Sequence, residues 1–198
     1  MKHRIIIGVT GASGSLYARK LLQMLFTIPG ELHLVISDMG WKVLTHELQA
    51  REDNFSQFIQ SLTDDSTHAA NITIHDNHDL FAPVASGSFR TSGMVIIPCS
   101  MKTLSAVATG CSDDLISRAA DVTLKERRPL VLVTRETPLG LIHLKNMCAV
   151  AEAGATVMPA SPGFYNHPDS IDAMAEHMVG RILDQVGINL PGMARWGD

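Results

Sequence analysis

The stretch RIIIGVTGASGSLYARKLLQMLF, residues 4–26, decides the fold. Its first residues form an apolar, β-branched run that is typical of a strand buried on both faces. A turn of glycine, serine and threonine follows in VTGASGS, residues 9–15, and residues 15–26 then carry apolar side chains at helical spacing. The order of strand, glycine-rich turn and helix predicts the first βα unit of a parallel sheet.

The rest of the chain repeats this alternation, and strands separated by helices imply right-handed crossovers. Strands are predicted at 4–10, 32–37, 72–76, 94–100, 129–136 and 156–161. Helices are predicted at 15–26, 40–50, 102–110, 112–128 with Ser112 as its cap, 141–155 and 170–187, with a further helix within the polar segment 51–71 and a loop at 81–93. We therefore predict an α/β protein: a single Rossmann-like or flavodoxin-like three-layer domain with a mostly parallel sheet. It would span residues 1–198 and include a C-terminal tail from about 188 to 198.

Composition excludes several classes of function. The 198 residues carry a formal net charge of -4, so no basic field is present to hold nucleic acid or an anionic membrane surface. No apolar run approaches the roughly 20 residues that span a bilayer, and no signal-peptide pattern occurs. The three cysteines are an odd, scattered set, which predicts a reducing, cytoplasmic location. Neither HExxH nor CxxC occurs, so no metal site is predicted.

Three predicted strands end in polar turns: TGASGS at 10–15, SDMG at 37–40 and PCSMKT at 98–103. The carboxyl ends of parallel strands meet at one edge of a sheet, and backbone N–H groups at helix N-termini attract anions there. The glycines at 8, 11 and 14 are spaced G-x-x-G-x-x-G, which is neither the dinucleotide fingerprint nor a P-loop. The turns therefore favour a nucleotide with one phosphate, such as FMN. The alternative is that they are ordinary βα turns, which use the same residue types.

Four segments together resemble a known family: GASG at 11–14, PCSMKTLSAVATG at 98–110, RAADVTLKERRPLVLVTRE at 118–136 and PGFYNHP at 162–168. In this order and spacing they resemble the UbiX-type flavin prenyltransferases, and the likeness covers nearly the whole chain. The resemblance implies metal-independent transfer of a dimethylallyl group from dimethylallyl phosphate to N5 and C6 of reduced FMN. The product, prenylated FMN, would serve a separate UbiD-type decarboxylase. Members of the family form homo-oligomers, usually dodecamers, with active sites between subunits.

The resemblance also implies roles for individual residues. The FMN-binding residues would be Gly11, Ala12, Ser13, Ser37, Ser100, Met101, Lys102, Thr103 and Arg135. The residues around the prenyl phosphate would be Lys125, Arg135, Tyr165 and Arg181, with Lys125 able to reach a neighbouring subunit's flavin. Ser13 and Glu47 are the expected catalytic residues, and three proton carriers stay open: Glu47, Ser13 and the phosphate product. Phe81 stands where the family often has tryptophan.

This cationic set suits the chemistry, because phosphate leaves readily only when its growing negative charge is neutralised. Two alternatives share the FMN fold. FMN-dependent cysteine decarboxylases carry PASANT where this chain has PCSMKT, and they use a PxMNxxMW clamp that does not occur here. Flavodoxin-type electron carriers are strongly acidic and rich in aromatic residues near the flavin, whereas this chain has a net charge of -4 and 5% aromatic residues.

Overall fold

One parallel sheet forms the centre of the protein. The computed structural model describes residues 3–63, 70–164 and 167–189, so Tyr165 and almost all of the predicted tail lie outside the described residues. Within them the strands are β1 (His3–Val9), β2 (Gly30–Ile36), β3 (Ala70–His75), β4 (Gly93–Cys99), β5 (Leu130–Thr134) and β6 (Thr156–Pro159). They pair in the order β3-β2-β1-β4-β5-β6, and each pair is parallel. The predicted α/β fold class is confirmed.

The helices follow the strands much as predicted. They are α1 (Ser15–Phe26), α2 (Asp38–Leu48), α3 (Phe55–Thr63), α4 (Met101–Thr109), α5 (Leu115–Lys125), α6 (Leu141–Glu152) and α7 (Ile171–Gln185). A short 3₁₀ turn, Pro83–Ala85, lies inside the segment that was predicted to be a loop. None of the described helices combines the length and hydropathy that crossing a bilayer requires.

Helices cover both faces of the sheet, because side chains alternate between the faces along each strand. On one face, Ile5 and Ile7 of β1 pack in a core that includes apolar residues of α1, α3 and α7. On the other face, Ile6 packs in a second core with residues of α4 and α5. All three isoleucines are at most 2% exposed, so the apolar run of β1 is buried from both sides. This two-sided burial produces the three layers.

The predicted cap of α5 was wrong. Asp114, not Ser112, caps this helix: its carboxylate accepts a hydrogen bond from the Ser117 N–H at 2.8 Å. The Ser117 hydroxyl accepts in return from the Asp114 N–H at 3.3 Å, which completes a capping box. Both residues can cap a helix. The helix begins two residues later than predicted, and Leu115 and Ile116 in its first turn are buried. In contrast, the predicted end of α4 at Gly110 is confirmed by its left-handed conformation, with φ of 70°.

The strand order reverses direction between β1 and β4, and this position determines where a ligand can enter. α1 packs on one face of the sheet and α4 on the other, so the chain leaves these two adjacent strands in opposite directions. The β1–β4 pairing stops at Gly8 and Ile96, short of both strand ends. A crevice therefore opens at the carboxyl edge between the two strands, as is general at such a switch point.

A pair of stacked histidines, the buried His33 and the half-buried His75, joins β2 and β3. His33 is 7% exposed, stacks on His75 with ring centroids 5.2 Å apart, and shares a 2.9 Å hydrogen bond with it. Phe89 packs edge-on against His33. Burial, followed by the nearby His75 and Arg4, lowers the pKa of His33 to about 4, although Glu31 acts in the opposite direction. The folded protein therefore keeps His33 neutral in mildly acidic solution.

We predict that stability falls as the pH drops from about 6.5 towards 4. The unfolded chain binds a proton at His33 in this window and the folded chain does not, so acid favours unfolding. The loss from this residue should be on the order of 1 kcal/mol at pH 5. Urea unfolding at pH 7 and pH 5 measures it, and His33→Gln should flatten the pH dependence. An unchanged pH dependence in His33→Gln would contradict this assignment.

Candidate functional site

A cavity lined by described residues lies in the crevice at the switch point. Its volume is about 390 Å³, which is in the range of small-molecule sites. The N-terminal ends of α2, α4 and α5 and the segment after β3 surround it. The lining residues are Gly11, Ser37, Asp38, Met39, Asn77, His78, Ser100, Lys102, Thr103, Asp113 and Asp114. Of the residues predicted to bind FMN, Gly11, Ser37, Ser100, Lys102 and Thr103 thus share one wall.

The first turn of α4 presents a site for an anion. Ser100 caps the helix: its hydroxyl accepts from the Thr103 N–H at 3.3 Å and lies 3.1 Å from the Thr103 hydroxyl. Other N–H groups of a first helical turn have no partner inside the helix, and they point towards the helix end. Lys102 is exposed and adds a positive charge to the cavity wall. Met101 packs its side chain against the second core, so only its backbone can serve a ligand.

The turn after β1 lies very close to the start of α2. A Cβ atom added to Gly11 would stand 2.7 Å from the Met39 Cβ, so only glycine permits this approach. Ser37 caps α2 by accepting from the Gly40 N–H at 3.0 Å, and a Cβ at Gly40 would stand 2.6 Å from the Val9 carbonyl oxygen. The two glycines thus narrow the cavity between the first two polar turns. The buried Ala12 follows Gly11 in the same turn.

The N-terminus of α1 is already occupied by a carboxylate of the chain itself. Glu47 of α2 accepts from the Gly14 N–H at 3.0 Å and from the Ser15 N–H at 2.8 Å. Burial raises the pKa of Glu47, but hydrogen bonds from the Ser13 hydroxyl and from Ser15 and Gly14 outweigh this effect and hold the pKa below its usual value. The glycine turn was predicted to bind an anionic ligand. The anion at this helix terminus is instead Glu47, and the α4 terminus is left for a phosphate.

Arg135 lies beside the glycine turn. It follows β5 directly, and its Nε donates to the Ser13 carbonyl oxygen at 3.4 Å. This contact crosses from the end of β5 to the turn after β1, so Arg135 and Ser13 meet at the carboxyl edge of the sheet. Their proximity agrees with a shared role at one ligand.

Arg181 lines a second cavity of about 320 Å³ near the end of β6. The wall includes Pro159 at the end of β6, Ser161 and Gly163 after it, and His177 and Arg181 of α7. Because Thr134 pairs with Pro159, this cavity lies at the same sheet edge as the residue that follows Thr134, Arg135. Tyr165 belongs to the same segment after β6 but lies outside the described residues, so its predicted role stays a prediction.

Lys125 is not brought to this edge within one chain. It is the last residue of α5, whose first turn borders the main cavity and whose 11 residues extend about 16 Å away from it. Beyond the helix end, Arg128 donates to the Phe89 carbonyl oxygen at 2.9 Å, and Arg90 accepts from Arg4 at the start of β1. These contacts place Lys125 at the amino edge of the sheet, opposite Arg135.

Several cavity residues were missed by sequence reasoning. Asn77 is 7% exposed, and its side-chain and backbone oxygens accept from the Ile116 and Leu115 N–H groups at 3.2 and 2.8 Å. A single asparagine after a short strand carries no signal of this role. The acidic residues Asp38 and Asp113 were visible only as helix-start residues. Among the described residues, no group of three histidine, cysteine or carboxylate side chains is arranged to hold a metal ion.

Comparison with known proteins identifies the family. The flavoprotein family profile matches residues 1–186. Flavin prenyltransferase UbiX of Escherichia coli strain K12 is 47% identical over 197 residues, which cover 98% of this chain and 97% of that protein. This chain belongs to the UbiX flavin prenyltransferase family. The predicted family and enzyme class are thereby confirmed.

Two solved structures extend the comparison. The crystal structure of AnUbiX (PadA1) in complex with FMN and dimethylallyl pyrophosphate has a TM-score of 0.87 and 42% identity, and the match covers 100% of this chain and 99% of that one. The dodecameric FMN-dependent UbiX-like decarboxylase from Escherichia coli O157:H7 has a TM-score of 0.85 and 43% identity, with 98% and 100% covered. This UbiX family membership favours prenyl transfer over the cysteine decarboxylase and electron-carrier alternatives.

We predict that Glu47→Gln lowers the free energy of unfolding by about 0.5–1 kcal/mol, because a charged acceptor at the α1 N-terminus becomes neutral. Urea unfolding at pH 7 measures the change. Since the Glu47 pKa is lowered, its contribution should be full at neutral pH and should be lost as the pH falls through that lowered pKa, below the ordinary carboxyl range. Glu152→Gln is the matched control, because Glu152 is exposed in the last turn of α6. Equal effects of the two variants would contradict a capping role for Glu47.

Proposed function

We propose that this chain transfers the dimethylallyl group of dimethylallyl phosphate to N5 and C6 of reduced FMN and releases prenylated FMN. The observation that carries the proposal is the crevice at the β1–β4 switch point in a UbiX family member: its α4 terminus suits a single phosphate, and Arg135 lies beside the glycine turn. FMN and a dimethylallyl ester occupy the related AnUbiX structure together.

The main cavity fits the phosphate and ribityl end of FMN. The Ser100 and Thr103 hydroxyls, the α4 backbone N–H groups and Lys102 supply donors and positive charge on one wall. Asp38 and Asp114 also line this cavity and supply acceptors of the kind that sugar hydroxyls need. The flavin ring would then extend past Gly11 and Ser13 towards Arg135. Reduced FMN supplies the nucleophilic nitrogen of the reaction.

The overall reaction balances without an oxidant or a metal. The allylic C–O bond breaks, bonds from carbon to N5 and C6 form, and phosphate leaves. N5 and C6 each give up a proton: one goes to the alkene carbon and the other to phosphate, so the flavin gains C5H8. Arg135 and Arg181 would neutralise the charge that grows on the leaving phosphate, and Tyr165 would donate a hydrogen bond to it.

Glu47 and Ser13 are positioned to handle these protons. Glu47 is ionised at neutral pH, as a glutamate ordinarily is, and hydrogen bonds, including one from the Ser13 hydroxyl, lower its pKa further. A carboxylate linked to a hydroxyl can accept a proton through that hydroxyl. We assign Ser13 as the relay at N5 and Glu47 as the group that accepts the N5 proton through it and passes that proton on to the departing phosphate.

Lys125 can serve the reaction only in an assembly, because it lies at the opposite edge of its own sheet from Arg135. Apolar surface is available for one: Phe81 is 100% exposed, and Leu141 and Ile142 of α6 are 67% and 72% exposed. The related UbiX-like decarboxylase is dodecameric. We propose a cytoplasmic homododecamer in which Lys125 of one chain reaches the flavin of its neighbour, and a UbiD-type decarboxylase that receives the product.

We predict that the purified protein, incubated without oxygen with reduced FMN and dimethylallyl phosphate, yields a flavin heavier by one C5H8 unit. Mass spectrometry of the extracted flavin measures the gain. Arg135→Gln should lower the rate by about 100-fold, by analogy with the loss of one charge-stabilising donor. Flavin of unchanged mass with every prenyl donor tested would contradict the proposal. Release of CO2 from an aromatic acid by the protein alone would instead support direct decarboxylation.

We further predict that two inactive variants restore activity when they are mixed. In a site shared between neighbours, one chain supplies Arg135 and the other supplies Lys125. Lys125→Ala and Arg135→Gln therefore remove residues that come from different chains. Co-assembly of equal amounts should give sites with both residues intact in about a quarter of cases, and hence about a quarter of the wild-type rate. The measurement is the prenylation rate after the two variants are unfolded and refolded together. No recovery in verified mixed assemblies would show that Lys125 does not act across the interface.

A further inference from the structure

Thr10 lies where β1 and β4 separate. The ladder between these strands ends at Gly8 and Ile96, two residues before Thr10. Beyond that point the two chains turn to opposite faces of the sheet, and the crevice opens. Thr10 is nevertheless only 2% exposed, so its hydroxyl must find its partners inside the protein.

The Thr10 hydroxyl uses both of its hydrogen-bonding capacities on the turn after β4. It donates to the Pro98 carbonyl oxygen at 2.8 Å and accepts from the Ser100 N–H at 2.8 Å. The Thr10 N–H also donates to the Pro98 carbonyl oxygen, at 3.2 Å. One side chain therefore replaces the missing rungs of the ladder and fixes the backbone on both sides of Cys99.

The residue held in this way is the cap of α4. The Ser100 hydroxyl accepts a hydrogen bond from the Thr103 N–H and contacts the Thr103 hydroxyl. The orientation of Ser100 therefore sets the direction of the first turn of α4. In the other direction, the Thr10 carbonyl oxygen accepts from the Ala12 N–H at 2.9 Å, inside the glycine turn. Thr10 thus joins the segment proposed to face the flavin ring to the helix end proposed to hold the phosphate.

We infer that Thr10 is a positioning residue that sets the α4 terminus for the phosphate of FMN, without touching the flavin. The inference rests on the proposed function for the location of that phosphate. It assigns Thr10 an effect on one part of the ligand only: the phosphate should be held less well when the hydroxyl is lost, whereas the ring and the ribityl chain should be held as before. Thr10 begins the polar turn at 10–15, but it is not among the individual residues that the family resemblance implies for FMN binding.

The experiment compares FMN with riboflavin, which lacks the phosphate, by titrating each into the full-length, flavin-free protein and following flavin fluorescence. Thr10→Val keeps the shape of the side chain and removes the hydroxyl, leaving the Ser100 N–H without its acceptor. We expect Thr10→Val to lower the affinity for FMN by about tenfold and the affinity for riboflavin by less than about twofold. Thr10→Ser keeps the hydroxyl and should restore the wild-type ratio of the two affinities.

Thr123→Val is the matched control. Thr123 is 1% exposed, and its hydroxyl donates to the Ala119 carbonyl oxygen at 2.7 Å within α5, away from the cavity. It loses a buried hydroxyl as Thr10→Val does, and its ratio of FMN to riboflavin affinity should not change.

Two results would overturn the inference: an unchanged ratio of FMN to riboflavin affinity in Thr10→Val, with or without an equal loss for both ligands, or an altered ratio that Thr10→Ser does not restore. Should Thr10→Val not fold, Thr10→Ser and Thr10→Cys replace it, and only the hydroxyl variant should keep the wild-type ratio. The prenylation assay is read separately. If the protein does not prenylate FMN but Thr10→Val still changes the ratio of FMN to riboflavin affinity, the proposed reaction is rejected and the positioning role of Thr10 stands.

Discussion

The separation of β1 from β4 is the constraint on which the site depends. Two adjacent parallel strands send their chains to opposite faces, so the backbone ladder must end before the strands do. Polar groups that the ladder no longer pairs would be costly to bury, so they must find other partners or face a ligand. The side chains of the turns meet this need: Thr10 bridges the gap, Ser37 and Ser100 cap the helices, and the remaining N–H groups face the cavity.

The helix termini around this opening differ in charge balance, although their sequences look alike. The α1 terminus is neutralised by Glu47, which comes from a different helix. The α4 terminus has a serine cap and a lysine but no carboxylate among its hydrogen-bond partners in the described residues. In the proposed function, this difference would direct the FMN phosphate to α4 and leave the α1 turn to contact an uncharged part of the ligand.

Most of the fold could be predicted from the sequence, because β1 is a continuous apolar run and the helices show apolar spacing and clear ends, as at Gly110. The α5 start was misjudged because Ser112 and Asp114 are both good caps, and only the burial of Leu115 decides between them. Residues of the site next to the motifs, such as Ser37 and Ser100, were found. Asn77 and Thr10 were not, since their partners lie 39 to 90 residues away along the chain. For Lys125, the expectation that it reaches a neighbouring subunit's flavin came from the family resemblance, because a sequence motif by itself does not say which chain of an assembly a residue serves.

The carboxylate that closes the N-terminus of α1 has a consequence for how the flavin ring is received. A counter-ion that is covalently part of the protein cannot dissociate, so the glycine turn has hydrogen-bond acceptors for its Gly14 and Ser15 N–H groups without any ligand. Binding then need not order this segment, and the entropy of ordering was already spent when the chain folded. When the product leaves, the turn keeps its hydrogen bonds to Glu47. The empty protein can then bind the next flavin without rearrangement of this segment.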